Sequence, residues 1–221
     1  MKNGSASEVE RLLQEFEAML RLKNPGVVPC LHPGLSDETI QRKTAALPFE
    51  LPNELKALYQ WHNGSSDLRE VLEIDEEMAP DFFYAGQLFH SIELSLRYYK
   101  SKSHYGQQNY EHSLWTPFLF PITDDGAGWQ LVVDCEPDSA DTGKIYFFNG
   151  IEWGKVQTDE YPFESALMYR NLAAMLKTVL ACFEENAYFF AYDENGEFGM
   201  QWDDEKETQI GRRMNPDCAY W

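Results

Sequence analysis

Val9, Leu12, Leu13, Phe16 and Leu20 recur every three or four residues, and Pro25-Gly26 closes the run. With Ser7 and Glu10 placed as a capping box, the pattern predicts an amphipathic helix near the amino terminus. Ser36, followed by Asp37 and Glu38, predicts the start of a shorter helix before Pro48 and Pro52. Leu55, Leu58 and Tyr59 share one face of a third helix over 53–61, with Asn63-Gly64 as its left-handed stop. Residues 67–81 hold eight charges, seven of them acidic, and predict a solvated loop. The stretch 81–89 is aromatic and strand-like, and Ser91 opens a further helix through Tyr99. From Trp115 the period changes to short β-branched and aromatic runs at 115–122, 129–134 and 144–148. The turn Asp124-Asp125-Gly126-Ala127-Gly128 and a loop over 137–143 separate them, which predicts an antiparallel meander with 152–157 as an added strand. Leu172, Leu176, Val179, Leu180 and Phe183 then predict a long helix over 163–185. Tyr188–Tyr192 and Phe198–Trp202 flank Asp-Glu-Asn-Gly as a terminal hairpin, unless the first run extends the helix.

These elements predict a single α+β domain in 221 residues, its sheet packed by several helices. Residues 1–46 read as a helical segment packing on a domain of 47–221. Charge narrows the partners: 18 Lys and Arg against 37 Asp and Glu give −19, which disfavours nucleic acid and anionic membrane surfaces and points to basic or neutral partners. The amino terminus has no basic, then apolar leader, and no apolar run is long enough to span a bilayer. Cys30, Cys135, Cys182 and Cys218 form no C-x-x-C pair, which fits thiols in a reducing cytoplasm and predicts neither a zinc site nor a disulfide framework.

Leu51-Pro52-x-x-Leu55-x-x-Leu58-Tyr59 ending at Asn63-Gly64, Trp115-x-Pro117 before Pro121-Ile122, Asp125-Gly126-x-Gly128, Asp134, and Gly143-x-Ile145-Tyr146 follow one another in order. Over about residues 47–185 this set resembles the SUKH superfamily, which includes the yeast cell-wall-assembly regulator of the Smi/Knr type. The resemblance implies an α+β fold without a shared catalytic residue. For many bacterial members it implies an immunity protein that binds and neutralises a polymorphic toxin; for the yeast relative, a regulatory scaffold. Trp129 stands where the pattern is often small or polar, and residues after 185 fall outside it.

Candidate chemistry concentrates between Lys102 and Lys144, an interval without Lys or Arg that holds Glu111, Asp124, Asp125, Asp134, Glu136, Asp138 and Asp141. An acidic surface of this kind serves solubility, or it matches the basic cleft of a toxin domain and speeds association. Trp115 and Trp129, with Trp153, Trp202 and Tyr220-Trp221, are candidate aromatic anchors. The aspartates and glycines at 124–128 have a sufficient role in a turn, and Asp134 reads as the cap of a neighbouring one. The acids at 134–141 and at 193–197 lack the glycine of a calcium-binding loop, with Ser139 and Phe198 at that position. His32, His62, His90, His104 and His112 show no metalloprotease spacing, and no nucleophile elbow or phosphate loop is present. The sequence therefore predicts a non-enzymatic protein-binding module without cofactor or metal. A regulatory scaffold is the alternative, and a metal-dependent hydrolase ranks third.

Overall fold

The computed structural model describes residues 3–66, 83, 87–108, 115–149, 166–192, 196 and 198–221. The predicted loop at 67–81, the strand at 152–157, Trp153, His112 and most of 193–197 lie outside the described residues. In chain order the elements are α1 (Asn3–Lys23), a 3-10 turn (Val28–Cys30), β1 (Leu31–Pro33), α2 (Asp37–Thr44), α3 (Asn53–Trp61), β2 (His62–Ser65) and β3 (Leu88–Phe89). They continue as α4 (Ile92–Gln108), β4 (Leu119–Pro121), β5 (Thr123–Asp124), β6 (Trp129–Asp134), β7 (Ile145–Asn149) and β8 (Leu167–Tyr169). The chain closes with α5 (Leu172–Glu184), β9 (Tyr188–Tyr192), β10 (Phe198–Trp202) and α6 (Asp204–Met214).

The helical periodicity of α1 translates directly into burial: Val9, Leu12, Leu13, Phe16 and Leu20 all face the core, against α3 and α5. The helix begins before Ser7, so that residue lies inside it rather than capping it. Ser36 does cap α2, its hydroxyl accepting the Thr39 N–H at 3.2 Å. Helix α3 ends at Trp61 in an extended His62, and Asn63-Gly64 belong to β2 instead of forming a helix stop. Gly64 is still required there: its φ is +80°, and a Cβ would lie 2.2 Å from the Ser91 nitrogen. Asn63 ties β2 to α4, its side-chain oxygen accepting the Ile92 N–H at 2.9 Å.

The meander is antiparallel, in the order β4-β6-β7-β8, with Leu119 opposite Asp134, Leu131 opposite Phe147 and Ile145 opposite Tyr169. The pairs β1–β2, β3–β5 and β9–β10 are separate two-stranded antiparallel ladders among the described residues. Phe49 and Tyr59 meet Phe120 of β4 edge-on, each with ring centres 6.4 Å apart, and join the helical layer to the sheet.

The predicted helix over 163–185 begins later: its described part opens with the three-residue strand β8, and the helix itself starts at Leu172. Tyr169 pairs with Ile145 in the sheet, and Asn171 then caps α5 by accepting the Ala174 N–H at 2.8 Å. Helix α4 runs on to Gln108, past Tyr99, and the 115–122 run contains only three strand residues at β4. The β9–β10 hairpin forms with five residue pairs in register. Helix α6 has no counterpart in the expected elements.

Candidate interaction surface

Strand β6 separates the acidic candidates into two groups. At roughly 3.3 Å per residue, its ends at Trp129 and Asp134 stand about 17 Å apart. At the first end, Asp124 is buried and accepts the Gly126 N–H at 2.6 Å and the Gln130 amide at 3.0 Å. Burial raises its pKa, and burial pushes the nearby Lys102 down to about 8. Asp125 accepts the Ala127 and Trp129 N–H groups, each at 2.8 Å, while Gly126 and Gly128 take φ of 75° and 102°. The two aspartates therefore build a turn, and what the turn presents outward is Trp129, 36% exposed and stacked on Phe147 at 5.0 Å.

At the second end, Asp134 is buried, its pKa raised by that burial, and its carboxylate accepts the Glu136 N–H at 2.8 Å. The Gly143 N–H, at φ +91°, returns to the Asp134 carbonyl at 2.7 Å and closes the β6–β7 loop. Ser139 accepts the Asp141 N–H, and Asp141 pairs with Lys144. Glu136 and Asp138 are exposed, Asp138 in a left-handed conformation of φ 58°. No basic side chain among the described residues forms an ion pair with either of them.

The base of this loop borders a groove that sequence reasoning missed. Two adjoining cavities, of about 600 and 450 Å³, share Glu50, Leu51 and Lys56; Pro137 lines one, Gly143 and Arg170 the other. Leu51 and Pro52 thus position the start of α3 at the groove wall, where Glu54 accepts the Leu172 N–H of α5 at 3.0 Å. The proline punctuation was visible in the sequence, but the convergence of 50–56, 137–143 and 170–172 is a product of the tertiary fold.

Of the predicted binding residues, Trp115 is corrected outright as an exposed anchor. It is 3% exposed and packs on Tyr99 at 5.9 Å, while the Tyr99 hydroxyl donates to the Pro117 carbonyl at 2.8 Å. Asp124 and Asp134 are too buried to meet a partner directly. Trp129, Glu136 and Asp138 are exposed, and Asp125 and Asp141 are half-buried. Tyr220 and Trp221 are half-buried against the sheet, and Trp202 is exposed.

Also unpredicted is His90, buried and stacked parallel to Tyr98 at 5.0 Å, with neither ring nitrogen hydrogen-bonded among the described residues. Burial and the nearby Arg97 lower its pKa to about 3. Among the described residues no group of three or more His, Cys, Asp or Glu is arranged to hold a metal, and no described helix is long and apolar enough to cross a membrane.

The fold and this surface define the class: a helix-packed antiparallel α+β domain with an exposed tryptophan at one end of a central strand and two exposed acids on the loop beyond its other end. The model of the SMI1 / KNR4 family (SUKH-1) matches residues 34–178, and the chain belongs to that family. The matched stretch begins before α2 and ends within α5, so α1, the β9–β10 hairpin and α6 lie beyond it. No curated protein matches the chain.

Proposed function

We propose that this SUKH protein is a non-enzymatic binding module that neutralises a basic toxin domain by direct docking, as an immunity protein does. Residues 34–178 place it in a family to which that role is often attached. The observation that carries the reading is the pair Glu136 and Asp138, exposed on the β6–β7 loop without a cation bound to either among the described residues. Opposed potentials of this kind raise association rates and select the partner, while an aromatic such as Trp129 supplies contact area. Occlusion of the toxin's cleft is the mechanism, and the site is the cytoplasm of the producing cell.

Affinity capture from the native host at low and high salt tests it. A basic toxin-like protein bound at low salt and lost at high salt is expected, and changing Glu136→Lys with Asp138→Lys should slow association at least tenfold. Recovery of a housekeeping enzyme or signalling protein instead would favour the regulatory scaffold. Unchanged association of the double variant would remove the loop from the interface.

A further inference from the structure

The carboxyl-terminal arm, residues 203–221, lies wholly beyond the family-matched stretch and folds back over it. From a turn, the Tyr220 N–H donates to the Leu167 carbonyl at 3.2 Å, and the Trp221 indole N–H donates to the Met168 carbonyl at 2.8 Å. Both acceptors belong to β8, the last strand of the sheet order among the described residues. Tyr220 sets its ring edge-on to Phe147 at 5.6 Å, and Trp221 packs on Tyr169 at 5.8 Å. A Cβ on Gly211 would meet the Trp221 ring at 2.2 Å, so α6 carries glycine where the tail's indole crosses it. Arg212 donates to the Trp221 carbonyl, and Arg170 pairs with Asp217 at 3.2 Å.

The face by which α6 is held is unusually polar. Its buried residues are Glu207, Ile210 and Gly211, followed by Asn215 just after the helix. Ile210 is the one large apolar side chain fully buried in the helix. Asn215 donates to Thr178 at 2.9 Å but leaves its side-chain oxygen buried without a partner. Glu207 is 4% exposed and accepts the Tyr188 hydroxyl at 2.5 Å.

We propose that the arm is an autoinhibitory strap: its aromatic tail occupies in cis a docking edge on β8, and release of α6 opens that edge to a partner segment bearing two adjacent aromatic residues. The tail itself is the argument for the occupant's chemistry, since it shows what the edge accepts: two neighbouring rings and one backbone N–H, presented from a turn. The strap stands apart from the toxin reading; only use of the opened edge by a protein partner rests on it.

Glu207 makes the release sensitive to pH. The groups around it are Tyr188 of β9, Cys182 of α5 and Asp204 of its own helix, with Tyr169 of β8 beside Tyr188, and Glu185 and Arg213 at the rim near Cys182. Burial dominates and lifts the carboxyl from 4.5 to about 7. A carboxyl whose pKa is raised on docking holds the arm best when protonated, and the hold weakens as pH rises through about 7.

Hydrogen exchange followed from about pH 6 to about pH 8.5, corrected for intrinsic chemistry, is the test. Linkage predicts a roughly tenfold increase in opening of 204–221, with the Tyr220 amide, which donates to the Leu167 carbonyl, deprotected in step. Glu207→Gln should abolish the pH dependence, and the wild-type series stands by itself if that variant folds poorly. A labelled peptide of residues 215–221, with Ser in place of Cys218, should bind the full chain about tenfold more tightly at the higher pH and label β8. Opening of α6 that stays independent of pH, or a Tyr220 amide that stays protected while α6 opens, would overturn the strap. Arm opening with no peptide binding would overturn the docking edge while leaving the toxin reading intact.

Discussion

Helices α1 and α6 stand at opposite ends of the chain, both outside the family-matched stretch, and both pack against α5, yet they are held by different physics. Five large apolar side chains of α1 are buried, worth on the order of 10 kcal/mol at about 2 kcal/mol each. Helix α6 buries Ile210 fully, half-buries Met214, and otherwise turns inward a carboxyl, a glycine and, at its end, an amide. Non-directional burial makes an attachment that neither pH nor a competing ligand readily removes. A polar, titratable attachment can be released. The first helix is thereby an integral part of the domain, and the second is a conditional one.

The largest effect that sharpens this contrast is Phe16→Ala. Phe16 is fully buried and stacked on Phe83 at 5.3 Å, so its truncation should cost about 3–5 kcal/mol of global stability, read as a lowered denaturant midpoint. Ile210→Ala should lose about 2 kcal/mol, but in the hydrogen exchange of the arm, with the global midpoint moved by less than about 0.5 kcal/mol. A fall in the global midpoint matching that of the Phe16 variant would break the contrast.

Acid should act on the family-matched core and on the arm with opposite sign. His90, between β3 and α4, is buried neutral, its pKa lowered from 6.5 to about 3, so its contribution is present above pH 6.5 and lost as pH falls below that value. Glu207 has its pKa raised, so the arm tightens as pH falls through about 7. Thermal unfolding should therefore show a core destabilised by acid over a range in which arm exchange slows. The smallest effect belongs to Asp125→Ala, which removes the acceptor of two backbone N–H groups in a half-buried turn. It should cost about 1 kcal/mol globally and leave arm exchange unchanged.

The difference between the two helices also explains what could be read in advance. Helix α1 was legible because its attachment is a 3.6-residue apolar repeat, and β6, β7 and the terminal hairpin because their β-branched and aromatic runs are bounded by turn residues. Helix α6 buries too few apolar residues to produce that repeat. Its signal was end chemistry instead: Asp203 capping the Lys206 N–H at 3.1 Å, acids in the first turn, and Arg212 and Arg213 in the last. The strand at 167–169 was hidden because its residues share apolar character with the helix that follows, and only Asn171 marks the change. For the surface, residue types were legible and their placement was not. Trp115 and Trp129 are the same amino acid in similar contexts, and only the tertiary fold decides that one fills the core while the other faces out.

The most direct test of conditional attachment is native-state hydrogen exchange at about pH 8 across a series of low denaturant concentrations. The account predicts that 204–221 opens in a separate, low-energy step with a small denaturant slope, whereas the amides of α1 exchange only with global unfolding. A single opening shared by α1 and α6, with the same free energy and the same slope, would contradict it.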